Sequence, residues 1–85
     1  MFNFSKAQTF HDYLSEQKDN LFSQMSATQT GEVMNALDES WERIDLAQSE
    51  LTMLTFHAQA AGEDDEGVRT VWNRLLSEYP NAIVS

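Results

Sequence analysis

The stretch that decides the fold runs from Glu39 to Gly62 and reads ESWERIDLAQSELTMLTFHAQAAG. It contains no proline and no internal glycine, so nothing in it interrupts an α-helix. Apolar residues recur at helical spacing before it and inside it, and they predict one central helix from about Thr30 to Ala61. At 1.5 Å per residue such a helix is roughly 45 Å long. Gly62 follows as the expected C-terminal stop.

The apolar residues of the central helix fall into two sets on a helical wheel. The main set forms a stripe along the whole helix: Val33, Met34, Leu37, Trp41, Ile44, Ala47, Leu51, Leu54, Ala58 and Ala61. The second set lies on the opposite side, in the C-terminal half of the helix: Leu46, Met53, Phe56 and Ala60. The N-terminal half of that opposite side is acidic and carries Asp38, Glu42 and Asp45.

Two further helices flank the central one. Ser5 with Gln8 matches a capping box and predicts a first helix from Ser5 to about Met25, with an apolar stripe that Gln17 and Lys18 interrupt. A third helix is predicted at about 65–79, capped by Asp64 or Asp65 and halted by Pro80. Its stripe is Val68, Val71, Trp72, Leu75, Leu76 and Tyr79.

No stretch alternates with a period of two, so the sequence predicts an all-α fold without strands. The expected architecture is a three-helix antiparallel bundle that forms one domain over residues 1–85. Because the third helix is short and follows Gly62 directly, we expect it to cover the C-terminal half of the central helix. The second set would then be buried against Val68, Val71, Trp72 and Leu75. The alternative is that the second set forms a subunit interface, most simply an antiparallel pairing of two central helices.

Composition and charge exclude several classes of protein. The chain has 85 residues and a formal charge of −9, and a surface of that sign repels phosphate backbones, which argues against direct nucleic-acid binding. Without cysteine there is neither a disulfide nor a thiolate metal site, and a cytoplasmic location is the expectation. The apolar runs are too short for a membrane span, and the N-terminus does not match a secretory signal.

Catalytic and cofactor motifs are missing from the sequence. The two histidines, His11 and His57, do not belong to the Glu-x-x-His pairs that di-metal helical bundles use. The acidic run from Glu63 to Glu66 lacks the glycine spacing of a calcium loop. No nucleophile elbow or phosphate-binding glycine loop occurs. We therefore expect a protein that is not an enzyme and that needs no metal or cofactor.

The first functional hypothesis is a protein–protein interaction module, a small adaptor, regulator or inhibitor that presents a helical face and forms a homodimer. The surplus of apolar residues on the central helix motivates it, because a chain this short has few ways to cover them. Trp41 has two interpretations, as a core residue or as a binding anchor at an interface. The expected partner-binding residues are Asp38, Glu42, Asp45, Trp41, Leu46, Met53 and Phe56.

The second hypothesis is an acidic inhibitor that imitates nucleic acid, as an immunity protein, an antitoxin or a phage anti-defence protein does. Carboxylates at Asp38, Glu42 and Asp45 would form a ridge that Glu39 and the acids of the turn after Gly62 extend. Such a ridge would block an enzyme that binds DNA or RNA. Most charge runs are simply solvated surfaces, and helix-end positions already explain several of these acids.

Overall fold

The computed structural model describes residues 2–83, which form three helices and, within that range, no strand. They are α1 (Phe4–Ala27), α2 (Gly31–Ala61) and α3 (Glu66–Glu78). The predicted all-α fold with a long central helix and a short third helix is confirmed. The molecule measures 47 × 22 × 18 Å, because α2 extends far beyond the part that α3 covers. None of the three helices has the length and apolar character needed to cross a membrane.

Asn3, and not Ser5, caps the N-terminus of α1. Its side-chain oxygen accepts a hydrogen bond from the backbone N–H of Lys6 at 3.1 Å, and its backbone is extended. Asparagine is as good an N-cap as serine. The ring of Phe2 is buried in the core, and this burial favours a helix that begins directly after Asn3. The prediction that Ser5 is the cap was therefore wrong by two positions.

The turn between α2 and α3 contains the helix stop and the helix cap that the sequence predicts. Gly62 adopts a φ of 102°, a conformation that strains any other residue, and its N–H donates to the carbonyl oxygen of Ala58 at 2.8 Å. Asp65 then caps α3, since its Oδ2 accepts a hydrogen bond from the N–H of Val68 at 3.1 Å. The chain therefore reverses tightly and lays α3 back along α2.

Removing the Asp65 cap should lower the free energy of unfolding by about 1 kcal/mol, the usual cost of replacing an N-cap with alanine. Urea unfolding of Asp65→Ala measures the loss. Asp65→Asn should restore most of the stability, because asparagine also accepts the bond from Val68. The exposed neighbour Asp64 provides the control. An equal loss in Asp64→Ala would show that acidic charge near the helix, and not the cap, is responsible.

The core lies where all three helices meet, and aromatic rings dominate it. Trp72 of α3 is 1% exposed, and its ring contacts those of Phe2 and Phe10 at centroid distances of 5.1 and 5.7 Å. Tyr79 adds a further contact to Phe10 at 6.0 Å. The buried residues come from every element: Phe2, Ala7, Phe10, Leu14, Ala47, Leu51, Leu54, Ala58, Val68, Trp72, Leu75 and Ala82.

The second apolar set of α2 is not buried by α3, contrary to our expectation. Leu46, Met53 and Phe56 remain 64%, 70% and 63% exposed, and Ala60 is exposed too. The physical reason is the aromatic cluster, which draws α3 toward the seam between α1 and α2. The residues that α3 helps to bury on α2, such as Leu54 and Ala58, therefore belong to the main stripe.

Candidate functional site

The hairpin of α1 and α2 continues beyond the end of α3. Glu78, the last residue of α3, and Tyr79, which follows it, border a cleft together with Arg43 and Ala47 of α2, so α3 ends near the middle of α2. We call residues 15–45, the two-helix part beyond this level, the distal arm. All of these residues are described by the structure, and none of them is buried. The distal arm is thus a two-helix segment without a closed core.

The apolar residues of the distal arm are only partly covered. Six of them are half-buried: Leu21, Met25, Met34, Leu37, Trp41 and Ile44. Phe22 and Val33 are 64% and 48% exposed. Two packed helices bury only one stripe of each, and the rest of the apolar surface needs a further layer.

A polar bridge joins the two helices at the root of the distal arm. Lys18 Nζ donates to Asp45 Oδ1 at 2.7 Å and to Gln48 Oε1 at 2.9 Å. The same ammonium group lies 4.6 Å from the centre of the Trp41 ring. Gln48 in turn donates from Nε2 to Ser15 Oγ at 2.6 Å. In the sequence, Lys18 only interrupts an apolar stripe, because partners that lie across a helix pair leave no local signal.

This bridge changes the interpretation of two predicted partner-binding residues. Asp45 is half-buried and paired with Lys18, so it is not a free carboxylate on the outside of α2. Trp41 is half-buried beneath Lys18, which makes it neither a closed core residue nor a fully free anchor. Asp38 and Glu42 are exposed as expected, but without Asp45 the acidic ridge is shorter than predicted.

The distal arm is nevertheless strongly acidic. It carries seven carboxylates and two basic residues, Lys18 and Arg43. The seven are Glu16, Asp19, Glu32, Asp38, Glu39, Glu42 and Asp45. Because Asp45 engages Lys18, the other acids face solvent with little compensation. A ligand of the distal arm must therefore tolerate or neutralise this charge.

A second surface lies on the outer side of α2, nearer its C-terminus. We call Leu46, Met53 and Phe56 the outer patch, since they are among the most exposed large apolar side chains. Beside it runs an open groove of about 590 Å³ between α2 and α3, lined by apolar residues that include Leu54 and Val71. These three residues are among the partner-binding residues expected from the sequence, and all three are exposed.

Charged residues along the groove are paired with each other. Arg74 of α3 bridges Glu50 of α2 and Glu78 of its own helix, the latter at 3.0 Å. The hydrogen bond to Glu50, followed by that to Glu78, raises the pKa of Arg74 above its usual value, which keeps the guanidinium charged. His57 Nε2 lies 3.4 Å from Asp65 Oδ2. The border of the outer patch is thus locally compensated, unlike the distal arm.

Tyr79 closes the core where α3 ends. Burial, with a smaller contribution from the adjacent Glu78, raises the pKa of Tyr79, so its hydroxyl stays neutral at physiological pH. Its ring packs edge-on against Phe10. The shift thus has a structural cause, the burial of the ring at the end of α3.

The described residues contain no group of three or more metal-ligating side chains. They form two kinds of surface. The outer patch is apolar and its neighbouring charges are paired, whereas the distal arm is acidic and its apolar residues are only partly covered. Both are suited to protein association. Comparison of the chain with protein-family models, with curated proteins and with solved structures gives no match.

Proposed function

We propose that the protein is a non-enzymatic protein–protein interaction module that associates with a second copy of itself through the outer patch. The observation that carries this proposal is the exposure of Leu46, Met53 and Phe56, each above 60%, on one regular helix. Contiguous apolar surface of this kind marks interaction sites on small soluble proteins.

The geometry of the outer patch favours a helix as its partner. Leu46, Met53 and Ala60 repeat every seven residues, and Ser49 and Phe56 lie between them at alternating spacings of three and four. This repeat is the one that two helices use when they pack side by side. Ser49 and Ala60 are small, so the partner helix can approach closely.

Charge around the outer patch permits contact between two like copies. Glu50 is neutralised by Arg74, and His57 lies beside Asp65. Between Leu46 and Phe56 two copies therefore bring little like charge together, although Glu42 lies one helical turn before Leu46 and the whole chain carries −9. An isologous two-fold contact needs a surface that complements itself, and the outer patch meets that condition. One exposed helix face offers a small area, so we expect a dimer that dissociates on dilution.

A glutamate at the centre of the outer patch should abolish the dimer. Met53→Glu would bury a carboxylate without a partner in the contact. Burying an unpaired charge costs more free energy than the apolar contact of one side chain contributes. Light scattering at tens of micromolar should report a dimer for the natural chain and a monomer for Met53→Glu. Phe22→Glu is the matched control, because Phe22 is 64% exposed and lies on the distal arm. Loss of the dimer in both variants would contradict a specific contact.

Cysteine cross-linking tests the direction of the pairing, since the chain has no cysteine of its own. Met53 lies midway between Leu46 and Ala60. An antiparallel pairing centred there brings Met53 of both copies together and separates the two Leu46 residues. Met53→Cys should then form a disulfide dimer readily while Leu46→Cys does not, because a disulfide needs Cα atoms within about 7 Å. Efficient cross-linking at both positions would indicate a parallel pairing instead.

The acidity of the distal arm supports a second candidate function, an inhibitor that imitates nucleic acid and binds a basic enzyme surface. The exposed carboxylates of Asp38, Glu39 and Glu42 would carry it. This candidate is weaker, because Asp45 is already paired with Lys18. It requires that replacing Asp38 and Glu42 with asparagine, which leaves the apolar residues intact, removes binding to the target.

A further inference from the structure

We infer that the distal arm binds a basic amphipathic helix of a partner protein, which occupies the position beside α1 and α2 that α3 leaves vacant. This surface is separate from the outer patch, and the inference goes beyond self-association. It rests on three observations: where α3 ends, which side of the hairpin is already closed, and the sign of the charge.

The vacant position lies in line with the position that α3 occupies beside α1 and α2. At the base of the molecule α3 lies over the seam between α1 and α2, with Trp72 and Tyr79 against Phe10. The cleft shared by Tyr79 and Arg43 marks where this third layer ends. From there α2 extends back to Gly31, over about 20 Å at 1.5 Å per residue. A helix of about 13 residues fits that length.

The stripes that face α3 at the base continue into the distal arm. One heptad before the buried Ala47 of α2 lies Ser40, and one heptad before that lies Val33. On α1 the corresponding step leads from Phe10 to Gln17. The groove that these positions predict is lined by Gln17, Leu21, Val33, Leu37, Ser40 and Ile44, all exposed or half-buried.

The floor of this groove is mostly apolar, with Gln17 and Ser40 as its polar side chains. The hydroxyl of Ser40 already donates to the carbonyl oxygen of Ala36 at 3.1 Å, so it needs no partner from a ligand. The small side chain of Ser40 leaves room for close approach of another backbone. Val33, Leu37 and Ile44 supply the apolar contacts that an amphipathic helix buries in such a groove.

The opposite side of the hairpin is closed by the polar bridge at its root. Lys18, Asp45 and Gln48 join the helices there by side-chain hydrogen bonds. The side that continues the position of α3 is the one that a third helix already covers at the base. This asymmetry decides which side of the distal arm receives the partner.

Charge decides the chemistry of the occupant. With seven acids against two bases, a second copy of the distal arm would meet strong like-charge repulsion. Glu32 and Glu39 lie on the helical side next to the groove positions of α2, where they flank a bound helix. A partner with lysine or arginine beside its apolar stripe pairs with them. A basic helix therefore fits the groove and a second copy does not.

The test uses the full chain and a synthetic tryptophan-free peptide of about 13 residues with a leucine stripe flanked by lysine and arginine. A peptide of identical composition in scrambled order has the same charge but no apolar face. We expect the amphipathic peptide to bind at least about tenfold more tightly than the scrambled one, a difference near 1.4 kcal/mol. In NMR titration the backbone amides of Val33 and Ser40 should shift, while that of Met53 should not.

Matched substitutions locate the site. Val33→Glu should weaken binding of the amphipathic peptide roughly tenfold, because it places a charge in the apolar groove. Phe22→Glu adds the same charge at an exposed position about 100° further round α1 than Leu21, and should leave binding within about threefold. Replacing Glu32 and Glu39 with glutamine should weaken binding more than replacing Asp38 and Glu42 with asparagine, although both pairs remove two charges.

Three outcomes would overturn the inference. Equal binding of the scrambled peptide would mean that charge alone attracts it. A greater effect of the Asp38 and Glu42 pair would support the nucleic-acid mimic instead. Loss of the dimer in Val33→Glu, with Met53→Glu unaffected, would show that a second copy fills the groove. Failure of the dimer alone, with peptide binding intact, would remove only the proposed self-association.

Discussion

Replacing Trp72 with alanine is expected to lower the free energy of unfolding by about 3–5 kcal/mol, the usual cost of deleting a buried large aromatic side chain. A natural domain has only about 5–15 kcal/mol in total, and a chain this small belongs at the low end. The variant should therefore be largely unfolded at moderate temperature. Urea unfolding followed by circular dichroism measures the change.

The effect should be large because Trp72 connects every part of the core. Its ring contacts Phe2 from the N-terminal segment and Phe10 from α1, and it is almost completely buried. Removing it leaves a cavity at the point that holds α3 over the hairpin. With α3 released, the C-terminal half of α2 loses its third layer as well.

Trp41 offers an internal control, since it is the only other tryptophan in the chain. It is half-buried in the distal arm and contacts Lys18 through its ring face. Trp41→Ala should cost about 1 kcal/mol, the scale of a partly exposed cation–π contact with some packing. An equal loss in both variants would contradict the assignment of the core to the base of the molecule.

Helix positions were predictable because local chemistry sets them. The glycine that ends α2 and the aspartate that caps α3 can be recognised without any knowledge of the rest of the chain. The N-terminus of α1 was misplaced for the opposite reason. Asn3 and Ser5 are both good caps, and the choice between them depends on Phe2, whose burial against Trp72 is a long-range contact.

The seating of α3 was not predictable from the helical wheel. The wheel showed two apolar sides on α2 but not which of them the third helix covers. That choice depends on packing between aromatic rings of α1, α3 and the N-terminal segment, which leaves no periodic pattern on α2. The same limit applies to the candidate partner-binding residues. Met53 and Phe56 could be named from sequence, whereas the pairing of Asp45 with Lys18 depends on the register of α1 against α2.

Backbone amides of the distal arm should exchange with deuterium about 30- to 100-fold faster than those at the base of the same helices. Local opening of a segment without buried side chains costs about 2–3 kcal/mol less than opening the core, and about 1.4 kcal/mol corresponds to a tenfold change. Amides near Leu37 would report the distal arm, and those near Leu51 and Leu54 would report the base. Native-state exchange followed by NMR makes the comparison within one sample.

Lys18→Met tests whether the polar bridge holds the distal arm. The variant keeps the length of the side chain but loses the contacts to Asp45, Gln48 and Trp41, and it adds to the unbalanced negative charge. Exchange in the distal arm should accelerate roughly tenfold, since a partly exposed charged hydrogen bond with a cation–π contact contributes about 1–1.5 kcal/mol. Exchange near Leu51 should change little, because the core does not include Lys18. Equal acceleration at both places would mean that the molecule opens as one unit and that the distal arm is not a separately weak element of the fold.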